Sequence, residues 1–554
     1  MFAPPARCRA APGGRGGLPQ EVPLAGLALV ARTIWGTPEP TDALGRRHDL
    51  AIGVDDGRVT AVVPAARARE LRADRLVDLG DVTVLPAFVD AHVHLTPTGL
   101  ARGAGDLREA RSGADLLAAV RVLARTTPPG GPLWGQGYDD AAFEPAGLPG
   151  AEALAEAAGG RPLYLARVCG HQGLATVDLL AEAEALGAVG CERDRDGNPT
   201  GVVRGHANLA ARRHALDALP LAALAAAQDR ALDLAARRGV ACVHEMGSPG
   251  IAGRRDFELL LDRAASLPVE VVPYWGDLDL DYVAGRKLTQ VGGDLWLDGS
   301  LGARTAALSK PYDDAPETTG TLYHDDAELT ELYVRATLAG IQVAVHAIGD
   351  LAIGQALRCA RRACRTVGRT AFAACRHRIE HAELLGSDGA DRIAELGLTV
   401  SVQPAFDAAW GGPGGMYLRR LGASRAKSMN PFADLWRRGV PMAGGSDSDV
   451  TPLDPWNGVA AAVHHNRSPQ GLGLPVALEL FTLGGRVLAR QERITGRIHA
   501  GQRADLAVFP GDVLAGDPAR LRRTEAVATL VAGRLAHGPD ELALETAAGP
   551  AGPA

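Results

Sequence analysis

The stretch "DDAELTELYVRATLAGIQVAVHAIGD", residues 325–350, contains both kinds of secondary structure from which the fold is built. Asp325 with Glu328 three residues later is the capping-box pattern of a helix start, and Gly340 is typical of a helix end. The apolar run that follows predicts a buried strand ending near His346. The stretch therefore predicts a helix–glycine–strand unit with a histidine where the strand ends.

The same unit recurs along the centre of the chain, over residues 219–247, 388–404 and 431–449. The helix–strand pairs there are "LPLAALAAAQDRALDLAARRG" with "VACVHEMG", "DGADRIAELG" with "LTVSVQP", and "PFADLWRRG" with "VPMAGGSDSD". Repeated alternation of this kind predicts a parallel sheet, and the units suffice for a closed (β/α)8 barrel of the TIM type. The active site of such a barrel lies at the carboxyl ends of its strands.

The two chain ends carry a different, β-rich pattern. "DLAIGVDDGRVTAVVP" alternates around the hairpin signal Asp56-Gly57, and "AVATLVAGRLAHG" near the C-terminus again reads as short strands. We expect the two ends to pack as one composite β-sandwich domain, although two independent β appendages are the alternative. The predicted domains are disordered tails over 1–20 and 541–554, the sandwich over 21–85 and 490–540, and the barrel over 86–489 with an insertion or lid within 100–235.

Composition excludes several classes of protein. A formal charge of -7 over 554 residues argues against a nucleic-acid binder. The sequence has no run of 18 continuous apolar residues, so we expect no membrane span. The first twenty residues, "MFAPPARCRAAPGGRGGLPQ", lack the apolar core of a signal peptide. Seven scattered cysteines without a C-x-x-C pair indicate a reducing compartment, so we expect a cytoplasmic protein.

The segment "LPAFVDAHVHLTPTG", residues 85–99, ends an apolar run with a His-x-His pair. Alternate residues of a strand point to the same side, so His92 and His94 would project together with Asp90. Two neutral imidazoles on one face can bind zinc or a similar metal. The alternative is two ordinary polar residues where the chain leaves a strand.

The other strands of the predicted barrel also end in side chains that bind metals. These are Asp294 and Asp298, His346, Glu380 and His381, and Ser446 and Asp447. Any one of them alone would more often be a capping or surface residue. Because successive strands of a barrel end at one mouth, we expect these side chains to converge there.

Eight segments in this order resemble the amidohydrolase superfamily, and more narrowly amidohydrolase family 3, the YtcJ-like branch that includes N-substituted formamide deformylases. They are "LPAFVDAHVHL", "WGQGYDD", "VCGHQGLATVDLL", "DGNPTGVV", "LDGSLGARTAAL", "VAVHAIGD", "RIEHAELL" and "GGSDSDV", and they span about residues 50–510. The resemblance implies a metal-dependent hydrolase of carbon–nitrogen bonds other than peptide bonds. A small amide such as an N-substituted formamide is the substrate it favours.

The resemblance also implies a ligand set for one or two divalent ions, with zinc as the first expectation. The residues that match it are His92, His94, His346, His381 and Asp447, the last also serving as general base and acid. Many family members carry a carboxylated lysine that bridges two metals where this chain has Asp294. An aspartate cannot be carboxylated but can bind metal directly, which leaves a one-metal site or a two-metal site bridged by Asp294.

Substrate contacts are expected from two further segments. Ser300 and Arg304 lie in the loop "DGSLGARTAAL" beyond a strand, where loops on a rigid scaffold often carry function. His171 lies in the long insertion and could reach the mouth, although a surface histidine is the equal alternative. The metal would stabilise part of the oxyanion's charge in catalysis, and His346, His381 if only one metal is bound, or Arg304 would stabilise the rest.

Two other functions remain open at this point. A one-metal deaminase of the cytosine or adenosine type is compatible with Asp294, and His377 and Glu380 have the His-x-x-Glu spacing of such enzymes. A non-catalytic barrel scaffold is the third hypothesis, which the four candidate histidines and Asp447 disfavour. The expected partner is a small-molecule amide, with no nucleic acid and no membrane. Oligomeric state stays open, with a homodimer as one option.

Overall fold

The computed structural model shows an α/β fold, which confirms the predicted class. It describes residues 26–39, 41–103, 105–128, 131–140, 143–145, 147–167, 172–185 and 187–542. The two predicted disordered tails lie almost entirely outside these residues. No helix in this part of the chain has the length and apolar character needed to cross a membrane.

The N-terminal strands form one side of a large, mainly antiparallel sheet. They are β1 (Leu27–Trp35), β2 (Arg46–Asp55), β3 (Arg58–Pro64), β4 (Arg75–Asp78) and β5 (Val82–Pro86). The hairpin between β2 and β3 turns at Asp56 and Gly57, with φ of 44° and 71°. Two successive left-handed residues are what the tightest hairpin turns require, so the Asp-Gly signal is confirmed.

The next strand, β6 (Phe88–Val93), is buried along its whole length and carries His92. After the short helix α1 (Leu95–Leu100), a separate five-stranded sheet and its helices interrupt the central pattern. The elements of this region are α2 (Gly113–Thr126), β7 (Leu133–Tyr138), α3 (Ala151–Ala157), β8 (Leu163–Arg167), β9 (Gln172–Ala175), α4 (Val177–Ala185), β10 (Cys191–Arg193), β11 (Pro199–Arg204) and α5 (Gly205–Asp217). The strand order in the sheet is β10-β11-β9-β8-β7.

The centre of the chain alternates helices with parallel strands. The first of these elements are α6 (Leu221–Arg237), β12 (Val240–Gly247), α7 (Gly253–Arg263), β13 (Glu270–Trp275), α8 (Leu280–Gly285), β14 (Gln290–Trp296), α9 (Asp326–Leu338), β15 (Gln342–Ala347) and α10 (Asp350–Val367). The rest are α11 (Arg369–Cys375), β16 (Arg378–His381), α12 (Gly389–Leu396), β17 (Thr399–Val402), α13 (Pro404–Trp410), α14 (Met416–Ala426), α15 (Phe432–Arg437) and β18 (Met442–Gly444). The predicted capping box of Asp325 and Glu328 opens α9, and Gly340 follows this helix with φ of 71°, as expected of a helix end.

Strand β6 and the seven parallel strands of the centre lie in two arcs, β13-β12-β6 and β14-β15-β16-β17-β18. The arcs meet where β18 approaches β6. There the Asp447 N–H donates to the His92 carbonyl at 2.8 Å, and the His94 N–H donates to the Ser448 carbonyl at 2.8 Å. A side chain at Gly445 would lie 2.6 Å from the His92 nitrogen, so this close approach needs glycine. Complete closure of the arcs into a (β/α)8 barrel stays a prediction.

The C-terminal strands return to the N-terminal sheet. After α16 (Pro455–Val463), α17 (Leu474–Glu479) and α18 (Gly485–Leu488) come β19 (Leu506–Pro510), β20 (Ala528–Val531) and β21 (Arg534–His537). Because β19 pairs antiparallel with β5, strands from both chain ends share the order β21-β20-β19-β5-β1-β2-β3, with β4 beside β1. The predicted sandwich and its boundaries remain predictions.

Four charged residues connect this sheet to the parallel strands, and we call them the base cluster: Glu270, Arg486, Arg503 and Asp505. Glu270 opens β13, Arg486 lies in α18, and Asp505 directly precedes β19. Arg486 contacts both carboxylates, at 2.9 Å for Asp505. The cluster therefore lies at the amino end of a parallel strand, opposite the carboxyl ends.

Candidate metal centre

Six polar side chains meet at the carboxyl ends of the parallel strands. Four belong to strands and two follow strands: His92 and His94 at β6, Asp294 in β14, His346 in β15, His381 in β16, and Asp447 after β18. All six are buried. We call this group the candidate centre; it holds every residue that the resemblance and the Asp294 alignment assign as a metal ligand.

The Asp294 carboxylate lies in the middle of the histidines. Its Oδ1 is 3.5 Å from His92 Nε2 and 3.7 Å from His346 Nδ1, and its Oδ2 is 3.3 Å from His94 Nε2. Asp447 Oδ1 lies 3.5 Å from His92 Nε2. The ligand atoms of three groups lie within 4.8 Å of one another: His92, His381 and Asp447; His92, His94 and Asp294; and Asp294, His346 and His381.

Three atoms at the centre of this group are buried without a hydrogen-bond partner among the described residues. They are His92 Nε2, Asp294 Oδ1 and Asp447 Oδ1. His94 Nε2 is 3.1 Å from Asp447 Oδ1, but the contact lacks hydrogen-bond alignment. Buried polar atoms are nearly always paired, so these atoms need a shared partner. Imidazole nitrogen and carboxylate oxygen together suit a divalent cation, so the residues present fit such an ion.

Each histidine uses its other ring nitrogen for a contact that points away from the centre. The pairs are His92 Nδ1 with Glu380 Oε2 at 2.9 Å, His94 Nδ1 with the Met246 carbonyl at 3.2 Å, His346 Nε2 with the Gly299 carbonyl at 3.3 Å, and His381 Nδ1 with Gln403 Oε1 at 2.7 Å. All four partners are oxygen acceptors, which places the imidazole proton on the outer nitrogen. In the neutral imidazole, the inner nitrogen then carries the lone pair that can bind a metal.

The charges of the candidate centre are strongly coupled. Burial raises the pKa of Asp294, but His346, His92 and His94 outweigh it and hold that pKa well below its usual range. Burial lowers the pKa of His94, yet Asp447 and Asp294 raise it to about 10, and against the same burial Asp294 raises the pKa of His346 to about 9. Without a metal, the centre therefore holds protons that a cation must displace.

Two members of the centre have unusual backbone conformations. His381 and Asp447 have φ of 68° and 51°, in the left-handed region that non-glycine residues rarely adopt. Such strain often accompanies functional sites. The usual alternation of a strand would direct Glu380 and His381 to opposite faces of β16. Here both contact His92, and the rings of His381 and His92 have centroids 4.9 Å apart.

The expected substrate-binding residues are placed differently. Ser300 and Arg304 lie in the loop after β14, which touches the centre through the Gly299 carbonyl. The Arg304 guanidinium forms an ion pair with Asp314 at 2.9 Å. His171 lies outside the described residues. The separate five-stranded sheet contacts this end of the parallel strands through β7, because the Gln136 amide donates a hydrogen bond to Asp449, two residues beyond Asp447.

Sequence reasoning missed Gln403, whose side-chain oxygen contacts the outer nitrogen of the candidate ligand His381. Gln403 ends the strand segment "LTVSVQP" and follows the same strand-end signal as the histidines, so it could have been found. The sequence indicates Asp298 only as a residue of metal-binding type. Its carboxylate instead accepts the backbone N–H groups of Ala307, Ile348 and Gly349 and so holds two loops together.

The His-x-x-Glu spacing of His377 and Glu380 does not form a site pair. His377 Nδ1 accepts the Val343 N–H at 2.9 Å, and its Nε2 contacts the Thr337 hydroxyl at 2.9 Å. Glu380 contacts His92 instead. The two side chains therefore make separate contacts and do not act on one site, which removes the main sequence argument for a deaminase.

Comparison with known proteins decides the family. The family model described as "Amidohydrolase family" matches residues 75–537. The chain belongs to this family. The prediction of amidohydrolase family 3 is confirmed, and so is that of a hydrolase acting on carbon–nitrogen bonds.

The alignments with two relatives and one solved structure each cover most of this amidohydrolase chain. YtcJ of Bacillus subtilis, a putative amidohydrolase by its description, is 28% identical over 537 residues, covering 88% of this chain and 96% of the relative. The N-substituted formamide deformylase of Arthrobacter pascens is 24% identical over 533 residues, with 88% and 94% covered. The crystal structure of a metal-dependent hydrolase from Pyrococcus horikoshii superposes with a TM-score of 0.73 at 27% identity, covering 89% of this chain and 99% of its own.

Proposed function

We propose that this amidohydrolase cleaves a small amide, such as an N-substituted formamide, at a zinc site built from the candidate centre. The observation that carries the proposal is the set of three buried, unpartnered ligand atoms within the described chain, His92 Nε2, Asp294 Oδ1 and Asp447 Oδ1. The similarity to a formamide deformylase supports the substrate class. Nitrogen and oxygen donors in this combination suit zinc.

The ligands would be His92, His94, Asp294, His346, His381 and Asp447. Asp294 belongs to two of the three close groups and contacts histidines through both of its oxygens. This position suits a carboxylate shared by two ions as well as a ligand of one ion. Metal content per chain distinguishes the two arrangements.

A bound divalent metal would polarise the amide carbonyl and lower the pKa of water beside it. Asp447 would take the proton from the attacking water and deliver it to the leaving nitrogen, as general base and then general acid. Its carboxylate is buried and directed at the same histidines as Asp294, which suits it to a proton transfer shielded from solvent. If only one metal is bound, whichever of His346 and His381 is not a ligand would support the carbonyl oxygen as it gains negative charge, and Arg304 is the alternative.

Substrate contact and the finer architecture belong to the same proposal. Ser300 and Arg304 would line the mouth through the loop after β14, and His171, which lies outside the described residues, is the third proposed substrate contact. The two arcs of parallel strands would close into a (β/α)8 barrel, with the insertion as its lid and a composite β-sandwich at the chain ends. The hydrogen bonds between β6 and the segment after β18 support closure on one side.

The first experiment is elemental analysis of protein purified without chelator, combined with formate release from a panel of N-substituted formamides. We expect one or two zinc ions per chain, loss of turnover on removal of the metal, and recovery when zinc is restored. A chain without metal, or full turnover without it, would overturn the proposal. Ammonia in place of formate would mean deamination.

Asp294→Ala tests the shared carboxylate. We expect it to lower metal content, because one carboxylate contacts three of the four histidines. The same preparation should lose turnover. Unchanged metal and unchanged rate would mean that Asp294 has been assigned the wrong role.

A further inference from the structure

Strand β16 carries a buried pair of opposite charges directly beside the candidate centre. Arg378 and Glu380 have no solvent exposure, and their side chains meet through Nε with Oε1 and through Nη2 with Oε2, the latter at 2.7 Å. A buried ion pair is often no more stabilising than apolar residues of the same volume. Stability alone is therefore a weak reason for this pair.

The carboxylate oxygen of Glu380 that accepts from Arg378 also contacts a ligand of the proposed metal. This oxygen, Oε2, lies 2.9 Å from His92 Nδ1. An ionised carboxylate can only accept hydrogen bonds, so the proton must lie on His92 Nδ1. The lone pair is then on Nε2, which is the unpartnered atom 3.5 Å from both Asp294 Oδ1 and Asp447 Oδ1.

Arg378 fixes the position of this carboxylate relative to three other strands. Its guanidinium donates to the carbonyl of Ala91, the residue before His92 in β6. It also donates to His244 Nδ1 at 2.9 Å in β12 and to the Tyr274 hydroxyl at 3.2 Å in β13. The guanidinium therefore holds both the backbone next to His92 and the acceptor of its ring.

We infer that Arg378 and Glu380 are positioning residues that hold the His92 ring in the orientation and tautomer required for metal binding. The inference rests on the proposed metal site. The other three histidines have neutral acceptors, namely the Met246 and Gly299 carbonyls and the Gln403 amide. A charged acceptor makes a stronger hydrogen bond and a more basic imidazole, so His92 is the histidine most dependent on its support.

The test compares Glu380→Gln, Glu380→Asp and the control Glu492→Gln in the full chain. Glu492 also pairs with an arginine, Arg376, at 2.6 Å, but that pair is partly exposed and neither member belongs to the candidate centre. The readouts are the zinc dissociation constant, from competition with a chelating dye, and the melting temperature of metal-free protein. We expect zinc binding to weaken about 10- to 100-fold in Glu380→Gln and about 10-fold in Glu380→Asp, with no change in Glu492→Gln.

Glu380→Asp keeps the charge beside Arg378, so it separates positioning from folding. Zinc affinity equal to wild type in this variant and in Glu380→Gln would overturn the inference, even if melting temperatures fall. If Glu380→Gln does not fold, the double variant Glu380→Gln with Arg378→Met removes both charges, and wild-type zinc affinity there would again overturn it. Failure of the wild-type chain to bind zinc would instead refute the proposed function.

Discussion

The candidate centre is a buried group of charges and the base cluster a partly buried one, and the two differ in how their oxygens are paired. In the base cluster, the Glu270 carboxylate accepts hydrogen bonds from Arg486, Arg503 and the Gln491 amide. The Asp505 carboxylate accepts hydrogen bonds from the same two arginines, the Thr495 hydroxyl and the Ala532 N–H. In the candidate centre, one oxygen of Asp294 and one of Asp447 have no hydrogen-bond partner in the described chain. Paired charges hold a fold together; unpaired buried ones indicate a site.

Charge balance separates the two groups further. The base cluster has two guanidinium groups against two carboxylates, so it is neutral without help. The candidate centre has two carboxylates and four histidines, and two of its histidines, His94 and His346, take up protons when no cation is present. This difference predicts that substitutions at the centre change chemistry and that substitutions at the base change stability.

The largest expected effect comes from Asp447→Asn. The amide cannot accept a proton, so kcat/KM should fall by about 10²- to 10⁴-fold, the usual worth of a general base. Circular dichroism should still show a folded chain, because Asp447 is not part of the base cluster. Turnover within about threefold of wild type would remove Asp447 from the mechanism, since a general base is worth far more than that.

Asp505→Asn is the reciprocal change at the other end of the strands. It leaves Arg486 and Arg503 with one carboxylate between them, so the free energy of unfolding should fall by about 3 kcal/mol. Urea denaturation measures this loss, and kcat of the folded fraction should stay at the wild-type value. A loss of kcat with unchanged stability would reverse the proposed distinction between the two groups.

The pH dependence of zinc binding is a smaller effect. The pKa of His94 is raised to about 10 and that of His346 to about 9, so both hold protons at neutral pH in the metal-free chain. Zinc must displace those protons, and its affinity should therefore rise by about tenfold or more per pH unit between about pH 6 and 8. Dye competition at several pH values measures the slope, and a flat profile would contradict the assignment of these ligands.

The base cluster should respond in a different pH range. Burial raises the pKa of Glu270, but Arg486 and Arg503 outweigh it and lower that pKa to about 2. The stabilising charge is therefore fully present above the ordinary value near 4.5 and is lost as pH falls through about 2. Between about pH 6 and 8 this group should not titrate, so Glu270 should contribute no pH dependence to the stability measured there by urea denaturation.

Much of the fold could be predicted from local signals. The capping box at Asp325, the glycine after α9 and the hairpin at Asp56-Gly57 each depend on a few neighbouring residues, and the structure has all three. The candidate ligands could be predicted for the same reason, because each lies at or near the end of a strand. Their supports could not: His92 and Glu380 are 288 positions apart, and no local pattern reports such a pair.

Backbone strain is the second reason that parts of the site escape prediction. Alternation along a strand would direct Glu380 and His381 to opposite faces, and the left-handed backbone of His381 lets both contact His92. Loop packing after β14 is a third reason that parts of the site escape prediction. The sequence predicts Arg304 near the mouth, but its pairing with Asp314 depends on loop packing that no spacing reveals.

The smallest expected effect belongs to Arg304→Ala. Arg304 is partly exposed and paired with Asp314, so the pair itself contributes little to stability. If the guanidinium contacts substrate as proposed, KM for the formamide substrate should rise about threefold with kcat unchanged, the signature of lost ground-state binding. Asp314→Asn is the control, because it keeps the guanidinium and removes its ion pair, together with the second pair that Asp314 forms with Arg420. An equal rise of KM in both variants would mean that Arg304 only braces the loop, leaving Ser300 as the proposed contact on this side of the mouth.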